Sequence, residues 1–181
     1  VQACLPILNL GLDAYAGWVG IVIYPGEFRV RREETDESGV VHEYEDELSG
    51  EAWPGGPVIL SWQDVELGGA GYNVVIHEFA HKLHMSRGDM DDFPVPHADM
   101  ARQPWLEAWD IAYAEFCNQV DRGRETLIDP YASEHPAEFF AVLSEAFFTL
   151  PQAVRSSYPA LYDQLVLFYR QNPAARLPAP A

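Results

Sequence analysis

The stretch Tyr72-Asn73-Val74-Val75-Ile76-His77-Glu78-Phe79-Ala80-His81-Lys82-Leu83-His84-Met85 decides how the rest of the chain is read. Its apolar residues Tyr72, Val75, Ile76, Phe79 and Leu83 recur at spacings of three and four, which predicts a helix with one buried stripe. On that helix His77 and His81 stand four residues apart, so their imidazoles fall within about 40° of each other on one face. Glu78 follows the first histidine and is rotated off the line joining the two. The apolar stripe defines the helix independently of these polar residues.

Outward from this helix the chain divides by composition. Val1 to Leu12 reads as an apolar segment stopped by Gly11, the tail of a helix. Trp18 to Val30 is rich in Val, Ile, Tyr and Phe around Pro25-Gly26, which predicts a hairpin. Residues 33–51 are strongly acidic, with Gly39 and Gly50 as breakers, and read as a solvated loop or edge hairpin. Val58 to Trp62, after Pro54-Gly55-Gly56-Pro57, reads as a buried strand. Gly88 and the Pro94/Pro96 pair mark a loop. Further helices are expected over 105–120, with Leu106, Trp109, Tyr113 and Phe116 inward, over 136–149, opened by Pro136, and over 160–169. Strands first and helices later predict an α+β fold, in one domain over 1–181.

Bulk properties narrow the function classes. The chain is 48% hydrophobic and 13% aromatic, as expected of an ordered domain. A net charge of −17 argues against nucleic acid and against an anionic membrane surface, both of which require clustered Lys and Arg. No run of residues approaches a membrane span. The two cysteines, Cys4 and Cys117, form no disulfide framework and no zinc ribbon, and a cytoplasmic, reducing compartment is expected.

Two imidazoles at helical i, i+4 spacing can share one cation, with a neighbouring carboxylate able to reach a water without ligating the metal itself. This is the H-E-x-x-H arrangement of zinc peptidases. The competing reading is a pair of helix-surface histidines beside an incidental glutamate. A catalytic zinc takes three protein ligands and keeps one position open. The pattern with a third histidine six residues after the second requires Gly at 84 and His at 87, whereas this chain has His84 and Arg87. A downstream glutamate is the alternative, and Glu134, Glu138 and Glu145 all qualify by position. Glu138 and Glu145 are seven apart on an otherwise apolar helix, where two carboxylates require partners or solvent.

The segments His77–Leu83, Tyr131-Ala132-Ser133 and Pro136–Glu145, with Leu5-Pro6, Ile23-Tyr24-Pro25, Gly56–Trp62 and Phe168-Tyr169, resemble the Mlc titration factor A family. These are bacterial zinc peptidases whose catalytic core is similar to that of anthrax lethal factor. The likeness covers nearly the whole chain and implies a zincin-like domain: a small mixed sheet, the active-site helix, then C-terminal helices. It implies Zn2+ on His77, His81 and Glu138, with Glu78 as general base and Tyr131 supporting the oxyanion. The family's amino-terminal segment is expected to be missing. His84 stands where the family commonly has Asp, and a place beside the ligands or toward solvent is expected for it rather than a fourth bond to the metal.

The function so implied is aminopeptidase-like hydrolysis of a peptide substrate, with Val58–Trp62 lining the cleft and pairing with the peptide. The alternative implied by the family name is a regulatory protein that sequesters a transcriptional repressor of the Mlc type.

Overall fold

The computed structural model describes residues 1–35, 38–87, 89–90 and 92–176. Strands β1 (Ile21–Tyr24), β2 (Phe28–Thr35), β3 (Val41–Leu48), β4 (Gly50–Ala52) and β5 (Val58–Ser61) come first. Helices α1 (Trp62–Leu67) and α2 (Val74–Arg87) follow, then the two-residue strands β6 (Asp89–Met90) and β7 (Phe93–Pro94). The chain continues through α3 (Arg102–Asp121), α4 (Pro136–Thr149), α5 (Pro151–Ser157) and α6 (Pro159–Tyr169). The order is the mixed α+β one that the sequence predicts. Among the described residues no helix is long and apolar enough to cross a membrane.

The strand pairing differs from the expected hairpin over 18–30. Pro25-Gly26 does separate two strands, but they belong to different sheets. β1 runs parallel to β5 in a three-stranded sheet ordered β1-β5-β4, with β4 antiparallel to β5. β2 instead pairs with β3 as an antiparallel ribbon from Phe28↔Leu48 to Thr35↔Val41. The side chains explain the choice. β1 and β5 are uncharged runs of the kind parallel pairs use. The cationic β2 faces the acidic β3, with Arg29 opposite Glu47 and Arg31 opposite Glu45. Arg29 Nε reaches Glu47 Oε1 at 3.0 Å. The acidic stretch 33–51 therefore supplies the end of β2 and all of β3, an antiparallel hairpin ribbon, and the start of β4; its residues 36–37 lie outside the described part.

β5 is buried as expected, but it is the middle strand. Both its edges are taken, so it cannot add a peptide strand; the edge on the α2 side of the sheet belongs to β4. Trp62 does not extend β5. It opens α1 and is 47% exposed, while Ser61 accepts a hydrogen bond from Asp64 N and caps that helix. Residues 1–12 are not a helix tail either. They form short 3-10 turns, because Pro6 lacks an amide hydrogen and Gly11 turns the chain at φ 84°.

Helix α4 organises the core. Phe139 to Phe147 is buried without interruption, which marks a helix surrounded on all sides. It packs on α2, and its Phe139 and Phe140 meet Trp109 of α3 edge-on. Phe140 also meets Phe168 of α6, which stacks on Trp105. Two polar residues sit inside this apolar run, each with a partner. Ser144 shares a 2.7 Å hydrogen bond with the Tyr169 hydroxyl. Glu145 faces α2.

Candidate metal centre

Helices α2 and α4 bring together the three residues that the motif and the resemblance single out. Among the described residues, His77, His81 and Glu138 form a group able to hold a metal ion. His77 Nε2 lies 3.1 Å from His81 Nε2 and 3.2 Å from Glu138 Oε2, and His81 Nε2 lies 3.4 Å from Glu138 Oε1. Ligand bonds of 2.0–2.1 Å in a tetrahedron give edges of about 3.3–3.4 Å, so the two imidazole nitrogens and the Glu138 carboxylate, which turns one oxygen to each histidine, are spaced closely enough to surround one small cation. Glu138 Oε2 is buried, with His77 Nε2 beside it, a donor set that suits a cation. The residues present fit zinc. Glu134 lies instead on the exposed lining of the cleft.

Glu145 explains how His77 is aimed. Its Oε1 lies 2.8 Å from His77 Nδ1, so Nδ1–H donates to it and Nε2 is the nitrogen turned toward Glu138 and His81. Its Oε2 accepts from the amide of Asn73 in a short bond. Asn73 Oδ1 in turn accepts from Ile76 N at 3.0 Å and caps α2. One carboxylate thus fixes both the tautomer of the first ligand and the start of the helix that carries it. The sequence shows Glu145 on the ligand face of α4, but not which histidine it holds. Asn73, one turn before His77 and a favoured capping type, was the readable signal for the cap.

Charge is shared across the group. Burial works against a charge on His77, but hydrogen bonds to Glu138 and Glu145 outweigh it and lift the imidazole to about 10. Burial likewise works to raise Glu138, yet the two histidines hold it well below the ordinary carboxylate range. In the metal-free state a proton on His77 supplies the positive charge that the carboxylates require.

Glu78 is 5% exposed, and burial raises its pKa, with His77 and His81 pulling the other way. Its carboxylate lies against Gly50 of β4. Tyr131 sits on a 3-10 turn, Pro130–Ser133, whose start is capped by Asp129 Oδ1 accepting from Tyr131 N at 2.9 Å. Burial and the nearby Glu138 charge raise its phenol, which stays protonated at ordinary pH. His84 is buried against Phe140, with ring centroids 5.9 Å apart, and so does not face solvent; it is not part of the metal-holding group. Lys82, behind the site, donates from Nζ to the carbonyls of Trp53 at 2.7 Å and Gly56 at 3.1 Å.

A cleft of about 550 Å³ opens onto this centre. His77, Glu78 and Glu145 line it together with Gly50, the end of β3, Tyr131 and Glu134.

A His-Glu-x-x-His helix with a glutamate from a second helix, beside a cleft, is the centre of a metallopeptidase-like protein. The chain belongs to the family described as glucose-regulated metallo-peptidase M90, which it matches over residues 1–170. It is 41% identical over 180 residues to Mlc titration factor A of Salmonella arizonae, covering 96% of this chain and 71% of that protein. The proteins of the same name from Salmonella typhimurium and Salmonella enteritidis are also 41% identical, with 67% of their length covered.

Proposed function

We propose that the chain is a zinc-dependent peptidase that holds the metal on His77, His81 and Glu138. The observation that carries this reading is the convergence of two imidazole nitrogens and the Glu138 carboxylate, with contacts of 3.1–3.4 Å, and a buried second carboxylate, Glu78, beside them. A bound zinc would polarise the scissile carbonyl and lower the pKa of a water. Glu78 accepts the proton of the attacking water and delivers it to the leaving amine, a task for which a carboxylate raised by burial is suited. Tyr131 donates its hydroxyl to the oxyanion that develops on the substrate. Glu145 holds His77 in place throughout, and the cleft walls orient the peptide.

The test is Glu78→Gln in the zinc-loaded protein. One zinc per chain should remain while hydrolysis of alanyl and longer peptide substrates falls by at least about 100-fold. Turnover at the wild-type rate would overturn the mechanism.

The names of the relatives favour a second reading, binding of an Mlc-type repressor. Sequestration requires a surface rather than a base. A pull-down with wild type and Glu78→Gln separates the two readings, since capture survives loss of the base if binding is the function.

A further inference from the structure

Gly50 opens strand β4 and pairs with Leu60 of β5. Its backbone is not in the left-handed region, unlike Gly11 or Gly71, so the turn chemistry that usually demands glycine is absent here. A glycine inside a strand pairing weakens it and often marks close approach of another group. The group here is Glu78. A β-carbon on residue 50 would lie 2.6 Å from Glu78 Oε1, 2.7 Å from its Cγ and 2.9 Å from its Cδ. Ordinary contact begins at 3.4 Å, so the carboxylate would have to move by about 0.8 Å. Glu78 is 5% exposed, lies close enough to His77 and His81 to feel their charge, and meets the cleft on its open side.

We propose that Gly50 is a positioning residue: the missing side chain forms the slot that fixes the Glu78 carboxylate beside the ligand group. The inference rests on the reading of Glu78 as the base. Strand β4 is then the wall that sets the reach of Glu78, and the carboxylate occupies the place that a β-carbon on residue 50 would fill. A misplacement near 1 Å at a reacting group can cost about 10²-fold.

The test is Gly50→Ala in the full chain loaded with zinc, with Glu78→Asp and the double variant alongside. Alanine is compatible with the strand backbone, so Gly50→Ala should fold and bind one zinc. Its kcat should fall about 10²-fold with KM little changed. Glu78→Asp withdraws the carboxylate by one methylene, so adding Gly50→Ala to it should cost less than threefold further. A crystal structure of zinc-loaded Gly50→Ala should show Glu78 displaced by about 0.8 Å, a readout independent of turnover. Wild-type kcat in Gly50→Ala, equal losses in both backgrounds, or an unmoved Glu78 overturns the proposal and leaves the peptidase reading intact. If the wild type hydrolyses no peptide, that reading fails alone, and the displacement of Glu78 still decides whether Gly50 forms the slot.

Discussion

At the residue scale the centre is a problem of unshared lone pairs. His77 Nε2, His81 Nε2 and Glu138 converge, and only a cation or a proton reconciles them. In the metal-free protein the proton on His77 does so. Its folded pKa of about 10 exceeds the ordinary histidine value, so its contribution to stability is fully present below about 6.5 and is lost as pH rises through about 10. Glu138, held low, contributes above the ordinary carboxylate range and loses that contribution only in strong acid. The melting temperature of the metal-free protein should therefore decline between about pH 7 and 10. Zinc binding near pH 7 should release a proton, seen calorimetrically as heats that change with buffer ionisation enthalpy. Glu145→Ala should weaken zinc binding about 10–100-fold, measured by chelator competition, because His77 loses the partner that fixes its tautomer. The ligand histidines were legible because helical spacing alone puts them on one face. Glu138 was not separable from Glu134 and Glu145 by spacing; the family resemblance singled it out, and the packing of α4 on α2 puts it against the histidines. The contact of Gly50 with Glu78 joins residues 28 positions apart, beyond any local pattern.

At the element scale the helices were read well and the strands poorly, for one reason. A helix announces its buried face within its own sequence, as α2, α3 and α4 do, and α4 begins and ends where Pro136 and the expected span place it. A strand does not reveal its partner. β1 and β2 look like two arms of a hairpin, yet their partners are set by β5 and by the acidic β3, both of which come later in the chain. The short helices α1 and α5 have too few turns to show a period. The aromatic packing of α4 carries a large share of the stability. Phe140 is fully buried between Trp109, His84, Phe168 and Tyr169. Phe140→Ala should cost about 3–5 kcal/mol in denaturant unfolding. Zinc affinity should fall with it, since the same helix carries Glu138.

At the scale of the whole molecule, the ligands come from two helices, so an ion at the centre would tie α2 to α4. Zinc at 1,000 times its dissociation constant should add about 4 kcal/mol, and removing it with a chelator should lower the melting temperature reversibly. An unchanged melting temperature on removal and re-addition would count against the site. Lys82 has a consequence of another kind. It is the only lysine in the sequence, and its ammonium is buried beneath the carbonyls of Trp53 and Gly56. Burial also lowers its pKa, so solvent access rather than basicity limits its reactivity. In the native fold an amine-directed acylating reagent should leave the Lys82 side chain unlabelled. The slow labelling of Lys82, read by peptide mapping, would then record how often the turn at 53–56 lifts off the back of the metal-bearing helix, a built-in clock for the opening of this wall of the molecule.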